Sequence, residues 1–149
     1  MNGQNLILFL TDMVSAFVNQ KIEMTNKKVL KRALIIEDEP GFLRLLHAVL
    51  ERMGIESDGT NNGPAAFQML QKRDYDIIIS DIDMPDVNGM EVNKYIDKYF
   101  PHLINRIIFA TGNSFNGNYR NFFQSIQCPV LFKPFELDEL RSAVQLIVE

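Results

Sequence analysis

Cysteine is almost absent from this chain, and its scarcity is informative. Cys128 is the sole thiol, so no intrachain disulfide can form. A reducing compartment fits, and a cytoplasmic location is the expectation. Dense runs of Lys or Arg are also missing. The net charge of -4 argues against a nucleic-acid-binding surface. The nearest candidate, Lys27-Lys28-Val29-Leu30-Lys31-Arg32, is short and leads into an apolar run, so it reads as a solvated linker. Long hydrophobic stretches are lacking too. Leu6-Ile7-Leu8-Phe9-Leu10 is broken by Thr11-Asp12, too early for a membrane span. No Lys or Arg precedes it, so a secretory signal would lack its basic region. Internal repeats and low-complexity tracts are absent.

What remains is an ordinary globular balance. Hydrophobic residues make up 46% and charged residues 23% of 149 positions, enough for one domain with a real core. Residues 1–28 read as an extension ahead of a domain over 29–149. Within the extension, Leu6, Phe9, Leu10, Met13, Val14 and Phe17 recur at helical spacing and form one face of an amphipathic helix. Met24 offers an alternative start, which would make the segment a mere upstream extension. The sharper expectation is a helix that docks on its own domain or on a second copy, giving a homodimer.

From Arg32 onward, strand-like and helix-like segments alternate. Ala33-Leu34-Ile35-Ile36, Ile77-Ile78-Ile79-Ser80, Ile107-Ile108-Phe109-Ala110 and Val130-Leu131-Phe132 are compact apolar runs, as expected of strands covered on both faces. Ile55 to Gly59 is more polar and suits a sheet edge. Between these lie helical patterns. Pro40 opens one with Phe42, Leu46, Val49, Leu50 and Met53 as its buried stripe, closed by Gly54. Ala66, Phe67 and Leu70 mark the next, after Asn61-Asn62-Gly63-Pro64. Met90 to Phe100 carries Val92, Ile96 and Tyr99 inward. Phe115, Tyr119, Phe122, Phe123 and Ile126 define a helix weakened by Gly117 and asparagines, and Leu137, Leu140, Val144 and Ile147 define the last. Alternating β and α segments with short connections imply a doubly wound parallel α/β sheet with helices on both faces.

In such a sheet the working site lies beyond the carboxyl ends of the strands. Five chemically active residues stand at such ends: Glu37, Asp38, Asp81, Thr111 and Lys133. Asp38 and Asp81 are hard oxygen donors of the kind Mg²⁺ takes, with Mn²⁺ as a substitute, and Glu37 adds a third acid that could bind directly or through water. The backbone carbonyl of Asp83 is a further candidate ligand. Crowded carboxylates resist ionisation together, and a divalent cation relieves that cost. Asp81 can then act as a nucleophile toward a phosphoryl group, since carboxylates form aspartyl-phosphate intermediates. Lys133 supplies a point charge, Thr111 a hydroxyl, and Gly112 open space with an unhindered backbone N–H for phosphate oxygens.

Four blocks carry a family resemblance: Glu37-Asp38, Ser80-Asp81-Ile82-Asp83-Met84-Pro85 with Gly89, Thr111-Gly112, and Lys133-Pro134-Phe135. Over about Val29 to Val148 the chain resembles the receiver domain of response regulators, in particular stand-alone, chemotaxis-regulator-like receivers. The resemblance implies a flavodoxin-like (βα)5 fold with strand order 2-1-3-4-5, here preceded by an extra helix. It implies Mg²⁺-dependent phosphorylation of Asp81 from a phosphohistidine on a sensor histidine kinase or histidine phosphotransfer protein. It also implies a cis Lys133-Pro134 bond and output by docking onto another protein, through a surface drawn from Asn113 to Ile126 and Glu136 to Val148. On this reading the chain is a switch rather than an enzyme, with no membrane or nucleic-acid partner.

Two positions depart from the pattern. Many family members place a mobile aromatic residue three positions before the lysine, where this chain has Val130. Asp83 adds a side-chain carboxylate at the rim of the pocket, where it would alter the lifetime of the phosphoryl group. Two other functions compete with the switch. Asp81-Ile82-Asp83 is also a D-x-D element, as in haloacid-dehalogenase-type phosphatases. Those proteins, however, carry the nucleophile after the first strand and a further acid pair after the lysine, whereas Asp138 and Glu139 fall within the last helix. A binding module that never becomes phosphorylated would have lost an acid or the lysine, and none is lost. His47 and His102 lack metal-ligand neighbours and read as structural.

Overall fold

The computed structural model describes residues 2–26, 31–112 and 117–149. The apolar runs become five strands: β1 (Arg32–Ile36), β2 (Glu56–Thr60), β3 (Ile77–Asp81), β4 (Ile107–Thr111) and β5 (Val130–Phe132). All neighbours pair in parallel, in the order β2-β1-β3-β4-β5. The helices are α1 (Gly3–Asn26), α2 (Pro40–Arg52), α3 (Gly63–Lys72), α4 (Gly89–Tyr99), α5 (Gly117–Ser125) and α6 (Leu137–Val148), with a short 3-10 turn at Pro101–Leu103. This is the flavodoxin-like arrangement that the resemblance implies. The polar strand lies at an edge, and the isoleucine-rich strands lie inside.

Side chains on a strand alternate between faces, and here both faces are apolar. Ala33, Ile35, Ile77, Ile79 and Ile108 pack against Leu46, Val49 and Leu50 of α2 and Leu140 and Val144 of α6. Leu34, Ile36, Ile78, Ile107 and Phe109 face the other way, toward Ala66 and Leu70 of α3 and Val92 and Ile96 of α4. Every residue of β3 and β4 is buried. Five successive positions that tolerate no water therefore demand the Ile-Ile-Ile and Ile-Ile-Phe runs. The polar residues that end these strands are carried into the same protected layer.

Local signals set the helix boundaries. Asn62 caps α3 by accepting from the Ala65 N–H at 2.8 Å, with Pro64 near the helix start. Asn88 and Glu91 form a reciprocal capping box at α4, and at α6 the Glu139 carboxylate accepts from the Glu136 N–H. Gly54 takes a positive φ of 74° just after α2, the conformation that ends many helices.

Several expectations shift. Tyr99 is exposed, because Tyr95 takes the inward aromatic place and stacks on Phe67 with ring centroids 3.8 Å apart. Leu137 is likewise exposed: it opens α6 above the core, and Leu140 is the first residue of that helix to be buried. The edge strand begins at Glu56, with Ile55 buried beneath it. Phe115 lies outside the described residues, and α5 starts at Gly117.

Candidate functional site

The sheet register brings the strand ends together. Ile36 pairs with Ser80, Asp81 with Ala110, and Thr111 with Phe132, so the residues at and just past these positions share one rim. Glu37 is tied in by its N–H, which donates to the Thr60 carbonyl at 3.0 Å. Lys133 is tied in by its N–H, which donates to the Thr111 carbonyl at 2.8 Å. The Lys133-Pro134 bond that follows is cis, as the resemblance implies. The loop after β3 turns back at Gly89, whose N–H donates to the Ile82 carbonyl at 3.1 Å. A Cβ at Gly89 would lie 2.9 Å from the Ile82 Cα, so this turn has no room for a side chain.

Asp81 is held at both carboxylate oxygens. The Asp83 N–H donates to Oδ1 at 3.0 Å, and Lys133 Nζ lies 3.4 Å from Oδ2. Lys133 also donates to Glu37 Oε2 at 3.0 Å, while the Glu39 N–H donates to Glu37 Oε1 at 3.0 Å. One ammonium thus bridges two buried carboxylates. Burial pushes the Asp81 carboxyl above the usual carboxylate range, and the Asp83 N–H and Lys133 only partly offset it. Burial raises Glu37 as well, against the opposing Glu39 N–H and Lys133. Burial alone would lower the Lys133 ammonium, but its hydrogen bond to Glu37 and the charges of Asp81 and Glu37 outweigh it, and the net shift is upward.

The donor set fits a hard divalent cation. Glu37, Asp38 and Asp81 each offer a carboxylate oxygen, all within 4.8 Å of one another. Two are buried and Asp38 is exposed, which leaves the cluster open on one side. Three carboxylates against one lysine leave an excess of negative charge. Mg²⁺ is suited to that excess because it takes one or two carboxylates and keeps its remaining positions for water and phosphate oxygens. Glu37 is 1% exposed, and Asp38 is the acid that meets solvent.

On the opposite wall, Thr111 Oγ1 donates to Asp83 Oδ2 at 2.8 Å. Thr111 is fully buried, so this contact gives its hydroxyl a charged acceptor at the pocket rim. Among the described residues, a Cβ at Gly112 would meet nothing within 4 Å. Three features escaped the sequence reading. Lys133 Nζ stands 4.3 Å from the Phe42 ring centroid, a cation–π contact, and Phe135 meets Phe42 edge-on at 5.5 Å. Asp83 acts as the acceptor for Thr111. Tyr119 lies beside Asp83, and burial together with that carboxylate raises the phenol above its ordinary range. The Phe after Lys133-Pro134 was the available signal for the first feature. Nothing in the spacing from residue 83 to 119 signalled the last.

This constellation can be set beside known proteins. The family model of the response regulator receiver domain matches residues 33–145. The chain belongs to this family. It is 29% identical over 116 residues to the response regulator receiver protein CpdR of Brucella abortus, covering 78% of this chain and 95% of that one. It is 31% identical over 125 residues to hybrid signal transduction histidine kinase K of Dictyostelium discoideum, covering 79% of this chain but only 10% of the kinase. The receiver therefore spans nearly all of one relative and about a tenth of the other. Among solved structures, response regulator protein TrrA of Thermotoga maritima, in complex with Mg²⁺-BeF, superimposes with a TM-score of 0.70 at 33% identity, covering 80% of this chain and 100% of that one. The receiver domain of a Pseudomonas aeruginosa sensor histidine kinase, with magnesium coordinated in its active-site cleft, gives 0.70 at 25% identity, covering 80% of this chain and 98% of that one. No helix among the described residues of this receiver is long and apolar enough to cross a membrane.

Proposed function

We propose that this receiver takes a phosphoryl group from a phosphohistidine onto a carboxylate oxygen of Asp81 and signals by docking onto another protein. The observation that carries this reading is the pair of contacts Lys133–Asp81 at 3.4 Å and Lys133–Glu37 at 3.0 Å, inside a cluster of three acids. In the transfer, the donor's N–P bond breaks as the Asp81 O–P bond forms. Lys133 holds charge beside the accepting oxygen, and the Asp83 N–H keeps the carboxylate oriented. Asp38 and Asp81, with the Asp83 backbone carbonyl and Glu37 in support, would hold Mg²⁺, which neutralises phosphoryl oxygens when bound. Thr111, Gly112 and Lys133 would receive the phosphoryl oxygens. Thr111 must exchange its Asp83 bond to do so. The donor would be a sensor histidine kinase or a histidine phosphotransfer protein, and the site of action cytoplasmic.

The phosphatase reading finds no support at the acids it would require. Glu139 is engaged at the start of α6, its Oε2 accepting from the Glu136 N–H at 2.7 Å. Asp138 is exposed and pairs with Arg141 at 3.7 Å. On the proposed reading the protein is a phosphoacceptor that catalyses only its own phosphorylation and dephosphorylation. Incubation with Mg²⁺ and a small acyl phosphate, read by intact mass, tests this. Wild type should gain one phosphoryl group per chain and Asp81→Asn none. An equal gain in both would move the site elsewhere, and multiple turnovers on a generic phosphate ester would restore the enzyme reading.

A further inference from the structure

α1 is the one large element that the receiver's chemistry leaves without a role. It is 24 residues long, about 36 Å at 1.5 Å per residue. Its large apolar side chains face solvent: Leu6, Phe9, Leu10, Met13, Val14 and Phe17 are each between 48% and 64% exposed. None of them enters either core cluster. Isolated exposed apolar residues are unremarkable, but a contiguous row of this length marks an interaction surface.

The row has an internal order. Leu6, Leu10, Met13, Phe17 and Gln20 follow one another at steps of four, three, four and three. That alternation is the seam of a coiled coil. Ile7 and Val14 flank it on one side and Phe9 and Ala16 on the other, so the apolar stripe is broader than a minimal seam. From Gly3 to Gln20 the only charged residue is Asp12, one position before Met13 and off the seam.

Each candidate occupant meets a different fate. An anionic membrane surface would need a basic polar face, and the first Lys or Arg of α1 is Lys21. Among the described residues, the receiver's own large exposed hydrophobics are Leu45, Tyr99, Phe132, Leu137 and Leu146, scattered over α2, α4, β5 and α6. They offer no continuous groove of matching length. A second α1 supplies a match at every seam position. In a parallel, in-register pair Gln20 meets Gln20, and the two amides satisfy each other. In an antiparallel pair the amide would be buried against the partner's apolar half, an arrangement that leaves it unpaired.

We propose that α1 pairs with α1 of a second copy as a parallel coiled coil, making the protein a dimer whose two receivers are tethered side by side. This inference stands whether or not Asp81 accepts a phosphoryl group. The test is light-scattering mass and sedimentation of the full chain, which should give twice the 17.1 kDa chain mass. The double variant Leu10→Glu, Phe17→Glu should run as a monomer while its receiver keeps its thermal transition. For orientation, Gln20→Cys in a Cys128→Ser background should cross-link to itself on mild oxidation, and the cross-link should vanish when Leu10→Glu and Phe17→Glu are added. A wild-type monomer at every concentration overturns the proposal, as does a dimer that survives the double substitution. So does a wild-type monomer that co-sediments with neutral phosphatidylcholine vesicles, which would assign the face to lipid. A dimer without the Gln20→Cys cross-link overturns the parallel arrangement.

Discussion

β2 and β5 are the two edges of one sheet, and they are held by opposite means. β2 is polar and fixed by charge. Arg32 pairs with Glu56 and Asp58, Arg73 reaches Asp58 at 3.0 Å, and the Tyr75 hydroxyl donates to the same carboxylate at 2.9 Å. His47 adds a 2.6 Å contact to Ser57, joining α2 to the strand. β5 is only three residues long and leans on a ring, Phe132 meeting Phe123 edge-on at 6.0 Å, while Phe122 of α5 meets Phe109 of β4 at 5.4 Å. No described residue of α5 is fully buried. Between the edges, β3 and β4 are buried throughout. The nucleophile candidate thus sits on a floor that cannot yield. Lys133 and Tyr119 lie on a less buried flank, and Thr111 ends the floor strand beside it. Reception of a signal needs the first property and transmission the second.

Removing buried volume should break this contrast most visibly. Ile108→Ala, in the floor, should cost about 2–5 kcal/mol, the range for truncating a fully buried aliphatic side chain. Phe123→Ala, on the partly exposed flank, should cost well under half as much despite removing a larger group. Urea titration of both variants decides it. Equal losses would mean the flank is packed as firmly as the floor and has no slack to use.

Metal binding should act on the floor alone. Mg²⁺ at about a hundredfold excess over its dissociation constant should stabilise the wild type by about 2.7 kcal/mol. The gain should be lost in Asp38→Ala and retained in Phe123→Ala, as read by thermal unfolding with and without the ion. Retention of the full gain in Asp38→Ala would remove that residue from the ligand set.

Legibility in the sequence follows the same division. The floor could be read directly, because five consecutive buried positions force uninterrupted apolar runs, and strand ends then fix where Asp81 and Thr111 must lie. Lys133 was readable through the Pro-Phe pair behind it. The flank was not. Whether Tyr99 or Tyr95 turns inward depends on the position of Phe67 across α3, which helical spacing does not encode. The contact between Asp83 and Thr111 depends on how tightly the loop turns back at Gly89. The burial of Glu37 and exposure of Asp38, adjacent acids with opposite fates, depend on which side of the β1 terminus faces the sheet.

Asp83 tests whether the flank communicates with the floor. Asp83→Asn keeps an oxygen acceptor for Thr111 but removes the charge. The hydroxyl then turns more readily toward a phosphoryl oxygen, and a group that repels the phosphoryl charge is gone. Both effects favour the phosphorylated form. A difference of about 1 kcal/mol, typical of one hydrogen bond, corresponds to about fivefold slower autodephosphorylation. Phosphoryl loss followed by intact mass measures it, and an unchanged rate would separate Asp83 from the switch.

The smallest effect belongs to the charged edge. Burial alone would raise the Asp58 carboxyl, but the Tyr75 hydroxyl, Arg73 and Arg32 hold it below its ordinary value of 3.8. A carboxyl depressed by folding contributes stability at pH above its unfolded value, and that contribution is lost as pH falls through the lower folded value. Arg73 is half exposed, so Arg73→Ala should cost at most about 1 kcal/mol at neutral pH. The cost should shrink in 1 M salt, where the screening length is about 3 Å. It should disappear once Asp58 is protonated in both states. Phe123→Ala, at the other edge, should cost the same at low and high salt, because burial of a ring has no charge to screen. A salt-dependent Phe123→Ala, or a salt-independent Arg73→Ala, would mean the two edges are not held by different forces.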